Sequence, residues 1–310
     1  MRTRIVGVLV GCAADLALND PQRGHPVAVF GQGAARLEQF TYRDSRIAGA
    51  LHVSLALGAV GLFATAVQRV SSRSPLVSTA ATATATWVAL GGTSLARTGL
   101  QMAQLLERDD VEGARRLLPS LCGRDPDRLD AAGLARAALE SVAENTSDAQ
   151  VAPLLWAGAG GVPGVLGYRA VNTLDAMIGH RSPRYHRFGW AAARLDDFAN
   201  YLAARATAAL VVVCAPLVGG SPSGAARAWR RDAARHPSPN AGVVEAAFAG
   251  ALGVRLGGPT QYRHELQIRP TLGDGRQPVV ADLRRAVALS RVVQLAAAGC
   301  VGVASVHRRR

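Results

Sequence analysis

The segment Glu140-Ser141-Val142-Ala143-Glu144-Asn145-Thr146-Ser147-Asp148 is the most informative stretch of the chain. Polar groups continue past it to Asn200, with Arg169, Asn172, Asp175, His180, Arg194, Asp196 and Asp197 set in otherwise apolar, Gly/Ala-rich sequence. On a helix, residues four apart drift by about 40° per step, so Glu140, Glu144 and Asp148 fan over one face within about 80°. Leu139 and Val142 fall on the other side. Like charges at this spacing destabilise an isolated helix by a few tenths of a kcal/mol per pair, roughly. Two readings follow. Either the face is solvated, with Arg136 pairing Glu140 at i, i+4, or the acids share a cation. Other polar rows recur at helical spacing. Arg169, Asn172 and Asp175 step by three opposite Val171, Leu174 and Ile178; Arg194, Asp197 and Tyr201 form another row, with Asp196 and Asn200 paired beside it. Any one row fits an ion-paired helix surface. Between apolar runs, however, charges are costly unless they line a cavity or face each other, and this placement points to a site.

The apolar runs are of membrane dimensions. Ile47 to Val67 gives 21 residues with His52 as the sole titratable group, about the thickness of a bilayer core at ~1.5 Å per residue. Pro75 to Leu95 is a second uncharged run, and Leu202 to Val218 and Ala286 to Val306 each carry a single arginine, Arg205 and Arg291. Residues 1–18 carry Arg2 and Arg4 before an apolar run to Cys12, too short for a comfortable secretion signal, and predict an uncleaved first membrane helix. Val151 to Gly167 is broken by Pro153, Pro163 and several glycines, which predicts a re-entrant or broken helix buried in protein. Residues 109–130 and 260–282 read as polar connections. The expectation is a single all-α, multi-pass membrane domain over residues 1–310, with about 4–6 spans. The arginines around the second span are nearly balanced, while His307 and the three arginines after it favour a cytoplasmic C-terminus.

Composition narrows the chemistry. All 35 basic residues are arginine, and the net charge is +13. Without lysine there is neither a P-loop nor a pyridoxal-phosphate Schiff base. No basic stripe carries interleaved aromatics, so a nucleic-acid partner is not expected. Arginines flanking apolar segments suit an anionic lipid bilayer, and arginines within a polar cluster suit a phosphorylated or carboxylated substrate. Cys12, Cys122, Cys214 and Cys300 lie far apart without metal-ligand spacing and read as reduced, structural thiols. The small-residue composition suggests helices packed closely through Gly and Ala. One further loop is informative: Arg230-Arg231-Asp232, then His236-Pro237-Ser238-Pro239-Asn240. It reads either as a helix start with Ser238 as N-cap and Pro239 at N1, or as an anion site at a helix N-terminus with Arg231 and His236 beside it.

In order along the chain, several motifs resemble one family. These are Asp20-Pro21 with His25-Pro26-Val27 and Gly31; Glu140 to Asn145 through Ser147-Asp148 to Val151-Ala152-Pro153; Tyr168-Arg169 to Asp175; Phe188-Gly189-Trp190 through Arg194 to Asp197; and His236 to Asn240 through Gly253 to Pro259. They resemble the CobD/CbiB family, the membrane-bound adenosylcobinamide-phosphate synthases of cobalamin biosynthesis. Asn19 stands where the family pattern has Gly, and His180 where it has Tyr, which removes any aromatic hydroxyl from that position. The resemblance implies ATP-dependent amide formation between a corrinoid, adenosylcobyric acid at its f-propionate, and (R)-1-amino-2-propanol phosphate or an analogue, with Mg²⁺ accompanying ATP. It implies catalytic roles for Glu140, Glu144, Asp175 and His236. Substrate binding would fall to His25, Asn145, Arg169, Asn172, Arg194, Asn200, Arg231, Ser238 and Asn240, and metal binding to Glu144, Asp148, Asp196 and Asp197. Which acid holds metal and which takes the proton is left open by the sequence. The acids and arginines are expected to converge on one cavity at the cytoplasmic face of the cell membrane, with other cobalamin-pathway enzymes as possible partners. An AmpE-type signalling protein of related fold would not need these clusters together, and a small-solute transporter would show cleaner spans and paired half-repeats.

Overall fold

A computed structural model describes residues 2–18, 24–180, 182–261 and 266–307; Asp20-Pro21 and the three terminal arginines lie outside the described residues. Apart from one two-stranded hairpin, the regular structure is helical. Among the described residues, four helical stretches are long and apolar enough to cross a membrane: Arg46–Ser71, Ala131–Gly179, Trp190–Val218 and Val280–Val303. The expected spans at 47–67 and 202–218 lie within two of them, and that at 286–306 overlaps the fourth over residues 286–303. The expected span at 75–95 does not form. Its helix stops at Ala89, Leu90 turns extended, and a new helix begins at Gly92. Treated as one domain in the sequence reading, the chain groups by its contacts into two compact units.

The first unit comprises Met1–Gly91, Ala152–Asn200 and Ala298–Arg310. It holds α1 (Arg2–Leu18), α2 (Pro26–Thr41), α3 (Arg46–Ser71), α4 (Pro75–Ala89) and α8 (Ala152–Leu174), with the beginning of α9 (Trp190–Cys214). Small residues set its packing. Gly7 and Gly11, one turn apart on α1, lie directly on α4: a Cβ on either would stand 2.7 Å from the Cβ of Thr82 or of Thr86. The threonines of α4 do not compete with this packing. Thr79, Thr82 and Thr86 donate their hydroxyls to carbonyls four residues back, at 2.9, 2.9 and 2.7 Å, so the helix presents methyl groups. On α3 the large apolar side chains Ile47, Leu62 and Phe63 face outward, as on a helix that meets lipid.

Helix α8 is broken as its glycines and prolines predict. Gly161 takes φ +62°, and Pro163 lacks the N–H that would reach the carbonyl of Ala159. Both freed backbone groups find side chains. Arg4 Nη1 donates to Ala159 O at 2.7 Å, and Gln68 Oε1 accepts from Val162 N at 3.2 Å. In hydrocarbon, irregular backbone is tolerated on this condition.

The second unit comprises Gly92–Val151 and Tyr201–Ala297. It contains α5 (Gly92–Glu107), α6 (Val111–Leu117), α7 (Ala131–Thr146), α10 (Pro222–Asp232), α11 (Ala241–Leu252) and most of α12 (Val280–His307). The connection at 260–282 contains more structure than its polarity suggests, since β1 (Leu256–Gln261) pairs antiparallel with β2 (Leu266–Leu272). A register shift between Leu256 and Gly258 sets a bulge at Gly257. After α7 the helix widens into a π-turn over Ser147–Val151.

Replacing Gly11 with Leu should force α1 off α4 and cost at least about 1–3 kcal/mol, seen as a lower unfolding midpoint of the detergent-solubilised protein. Gly33, with open space around its Cα, should accept Ala without loss.

Candidate active site

The second unit contains a pocket of about 190 Å³ lined by Leu121, Cys122, Gly123, Arg124, Ala137, Glu140, Ser141, Glu144, Glu245 and Arg269. Five of these side chains are charged, and four segments supply them. Glu140 and Glu144 come from one face of α7, Glu245 from α11, Arg269 from β2 and Arg124 from the loop after α6. The solvated-face reading of α7 is overturned, because Glu140 is only 2% exposed. So is its pairing with Arg136. Glu140 Oε2 instead takes a short charge-assisted hydrogen bond from Arg124 Nη2, and Glu140 Oε1 accepts the backbone N–H of Gly257 at 2.7 Å. Arg136 turns to the hairpin, donating to the carbonyls of Gly257 at 2.9 Å and Pro259 at 2.8 Å. Gly257 is required at the bulge: its φ is +80°, and a Cβ there would run into the carbonyl of Pro270. Burial raises the pKa of Glu245, and the neighbouring charges of Glu140 and Glu144 raise it further.

His236 is buried close to this group. Its Nδ1 accepts from the N–H of Ser238 at 3.0 Å, while Nε2 has no hydrogen-bond partner. Burial, and secondly the charge of Arg269, push its pKa down to about 4. The loop after it is a helix start of a modified kind. α11 begins at Ala241 rather than at Pro239, and Ser238 Oγ accepts from the N–H groups of Asn240 at 3.3 Å and Ala241 at 3.1 Å. Asn240 Oδ1 accepts from Arg205 at 3.1 Å. Arg231 is committed elsewhere: its Nε and Nη2 each reach Asp232 at 2.8 Å, and its Nη1 reaches Asp274 at 2.8 Å. Two carboxylates of the protein thus share Arg231, which keeps N–H groups beyond these three bonds. Asn145 donates to Ser141 O at 2.9 Å, and Asp148 lies in the π-turn, outside the cavity lining.

The first unit carries its own polar network. Tyr168 OH donates to Asn200 Oδ1 at 2.8 Å, Asn200 Nδ2 to Asp196 Oδ2 at 3.0 Å, Asn172 Nδ2 to Asp196 Oδ1 at 3.3 Å, and Arg169 Nη1 to Asn172 Oδ1 at 3.2 Å. Arg169, Asn172 and Asn200, which helical spacing singled out, thus gather with Tyr168 around the carboxylate of Asp196. Asp197 is paired with Arg194 at 4.0 Å on an exposed surface, Asp175 lies in a second π-turn over Asp175–Gly179, and His25 caps α2 by accepting the N–H of Val27 at 3.2 Å. Among the described residues no three His, Cys, Asp or Glu side chains close on a metal position. These residues form two networks, one within each unit.

Arg124, Glu245 and Arg269 were not picked out from the sequence. Glu245 carried a signal, being the only charged residue in the apolar helix Ala241–Leu252. Arg124 and Arg269 carried none, since each lies in a polar connection rich in arginine.

Fold and site together define an all-α, multi-pass membrane protein with a buried carboxylate–guanidinium cavity. The family model described as CobD/Cbib protein matches residues 8–290. A Mycobacterium tuberculosis (strain H37Rv) protein named cobalamin biosynthesis protein CobD is 75% identical over 309 residues, covering 100% of this chain and 98% of that protein. Proteins of the same name from Geobacter metallireducens and Rhodobacter capsulatus are 43% identical over 279 residues and 42% identical over 294 residues, covering 88% and 92% of both chains. No solved structure matches. The chain belongs to the CobD/CbiB family.

Removing Arg124 leaves Glu140 buried without its counter-charge, so Arg124→Gln should lower stability by roughly 3–5 kcal/mol in denaturant unfolding. His236 is held neutral in the fold, and its pKa lies below the ordinary 6.5. Its contribution is therefore complete above pH 6.5 and is lost as pH falls toward about 4, by up to roughly 3 kcal/mol. His236→Asn should flatten the stability–pH slope in that window.

Proposed function

We propose that the chain is an adenosylcobinamide-phosphate synthase, joining the amine of (R)-1-amino-2-propanol phosphate, or a close analogue, to the f-propionate of adenosylcobyric acid with consumption of ATP. Family membership supports the pathway, and the relatives bear the name of a cobalamin biosynthesis protein. The observation that carries the chemistry is the buried cavity in which Glu140, Glu144 and Glu245 face Arg124 and Arg269. A non-catalytic signalling protein would have no use for three carboxylates gathered out of water.

A carboxylate is a poor electrophile and has to be activated. A propionate oxygen attacks the γ-phosphorus of ATP, the bond from that phosphorus to the bridging oxygen breaks, and ADP leaves behind an acyl phosphate. The amine nitrogen then attacks the acyl carbon, the carbon–oxygen bond to phosphate breaks, and the amide forms. Of the two protons shed by the ammonium, one leaves on inorganic phosphate and one passes to a carboxylate. Arg269 faces the charge that builds on the transferred phosphoryl group. Glu140 has both oxygens occupied and holds the cavity wall in place.

Magnesium fits this donor set. The cavity offers hard carboxylate oxygens, including Glu245 Oε2, which is buried with no hydrogen-bond partner, and Mg²⁺ takes only one or two protein carboxylates beside phosphate oxygens. Glu144 would hold it, and bound there it would neutralise the phosphate oxygens of ATP. The enzyme would lie in the cytoplasmic membrane, in contact with anionic lipid, with its active site facing the ATP of the cytoplasm and other enzymes of the pathway within reach.

Purified protein supplied with adenosylcobyric acid, aminopropanol phosphate and Mg-ATP should form the amide, detected by mass. Folded protein giving no product would defeat the assignment. Glu144→Gln should cut turnover at least about a hundredfold and abolish cobalamin-dependent growth at an unchanged protein level.

A further inference from the structure

A second pocket of the same unit, about 310 Å³, has no part in the chemistry above. It lies between the start of α7, the bulge of β1 and the chain that leads into α12, and its lining includes Asp130, Gly133, Arg136, Arg255, Gly258 and Gln277. With two guanidinium groups and one carboxylate, the lining is positive in excess. Asp130 is tied to its own helix, its Oδ1 accepting the N–H of Gly133 at 2.7 Å. Arg136 is fixed before any ligand arrives, because Nη1 and Nη2 each donate to a carbonyl of the hairpin, those of Gly257 and Pro259. Each Nη keeps a second N–H, and the bond to Pro259 lies at the exposed surface. Gly258, at φ +84°, leaves this guanidinium uncovered: a Cβ there would meet only Arg136 Nη1, at 3.5 Å. Arg255 is exposed, its backbone N–H bonded to Arg276 O at 2.8 Å. Its side chain has no hydrogen-bond or ion-pair partner among the described residues. One guanidinium held in place and a second at liberty to close suit an oxyanion. A carboxylate presents its oxygens in one plane and satisfies one guanidinium. A phosphate presents them tetrahedrally and can take both, and its charge answers the positive excess.

We propose that this pocket is an anion site that takes a phosphate group on Arg136 and Arg255. The assignment stands on the pocket alone and does not need the synthase reading. Its volume is at the lower end of the ~300–1,000 Å³ of small-molecule pockets, which leaves room for a free phosphate or for the terminal phosphate of a larger ligand. The site also adjoins the carboxylate pocket. Gly257 gives its carbonyl to Arg136 and its N–H to Glu140, so a phosphate on Arg136 is linked to Glu140 through a single residue.

The test is a calorimetric titration of detergent-solubilised full-length protein with inorganic phosphate. Saturable binding is expected, and Arg255→Gln should weaken it about ten- to a hundredfold. Arg227→Gln, which changes an exposed arginine of α10 outside the pocket, should leave it unaltered. In the wild-type protein, phenylglyoxal should modify Arg255 and phosphate should protect it, as located by peptide mass spectrometry, a readout that needs no variant to fold. ATP without Mg²⁺ and adenosine form the second arm. Protection by ATP but not by adenosine assigns the site to the terminal phosphate of a larger ligand, and protection by inorganic phosphate alone assigns it to the free ion. Absence of saturable binding, equal binding by folded Arg255→Gln, or protection confined to other arginines overturns the proposal. Neither readout requires turnover, so a failed amide assay leaves this site standing, and a failed phosphate titration leaves the synthase.

Discussion

The pair formed by Glu140 and Arg124, completed by the N–H of Gly257, is the constraint on which the second unit is arranged. A buried ion pair gains little over apolar packing, and its loss of one partner is severe. Its structural consequence is to fix three segments of different origin: α7, the loop that follows α6, and the first strand of the hairpin. Gly257 is pinned on both sides, its N–H taken by Glu140 and its carbonyl by Arg136. With the strand held there, Arg269 on β2 is carried to the cavity and Glu245 finds acids and guanidinium groups as neighbours in place of lipid or water. The remaining carboxylates, Glu144 and Glu245, share the cavity with Arg269.

The first unit solves the same problem differently. Asp196 is surrounded by amide donors, with Asn172 and Asn200 on its two oxygens and Tyr168 and Arg169 one bond further out. Donors that are neutral amides spread the charge without closing a cage around it. Polar groups between apolar helices face one another, as they must where lipid offers no partners.

Local periodicity made part of this legible. Spacings of three and four put Asn172 beside Arg169, and Asn200 beside Asp196, because an α-helix places those residues on one face whatever lies across from it. The break in α8 was readable from Pro163 and the glycines near it. Length and hydropathy located three of the long helices. What failed were pairings decided by tertiary structure. The i, i+4 rule offered Arg136 to Glu140, but Arg124, in a loop with no periodicity, is the residue that reaches it. The run at 75–95 has no charge to announce its interruption at Leu90. The helical phase that put Asp148 on the face of Glu140 and Glu144 is changed by the π-turn over Ser147–Val151, which hydrophobic pattern does not register. The hairpin was hidden because its strands are short and lie in a polar stretch.

The broken helix has an implication for biogenesis. The carbonyl of Ala159 and the N–H of Val162 are served by Arg4 and Gln68, side chains on α1 and α3. Both helices are translated long before α8. When the interrupted segment leaves the ribosome, the side chains that will stand in for water have already been made. Sequence order thereby becomes an assembly schedule, and a circular permutation that delivered α8 first would present its bare backbone to lipid with nothing yet there to meet it.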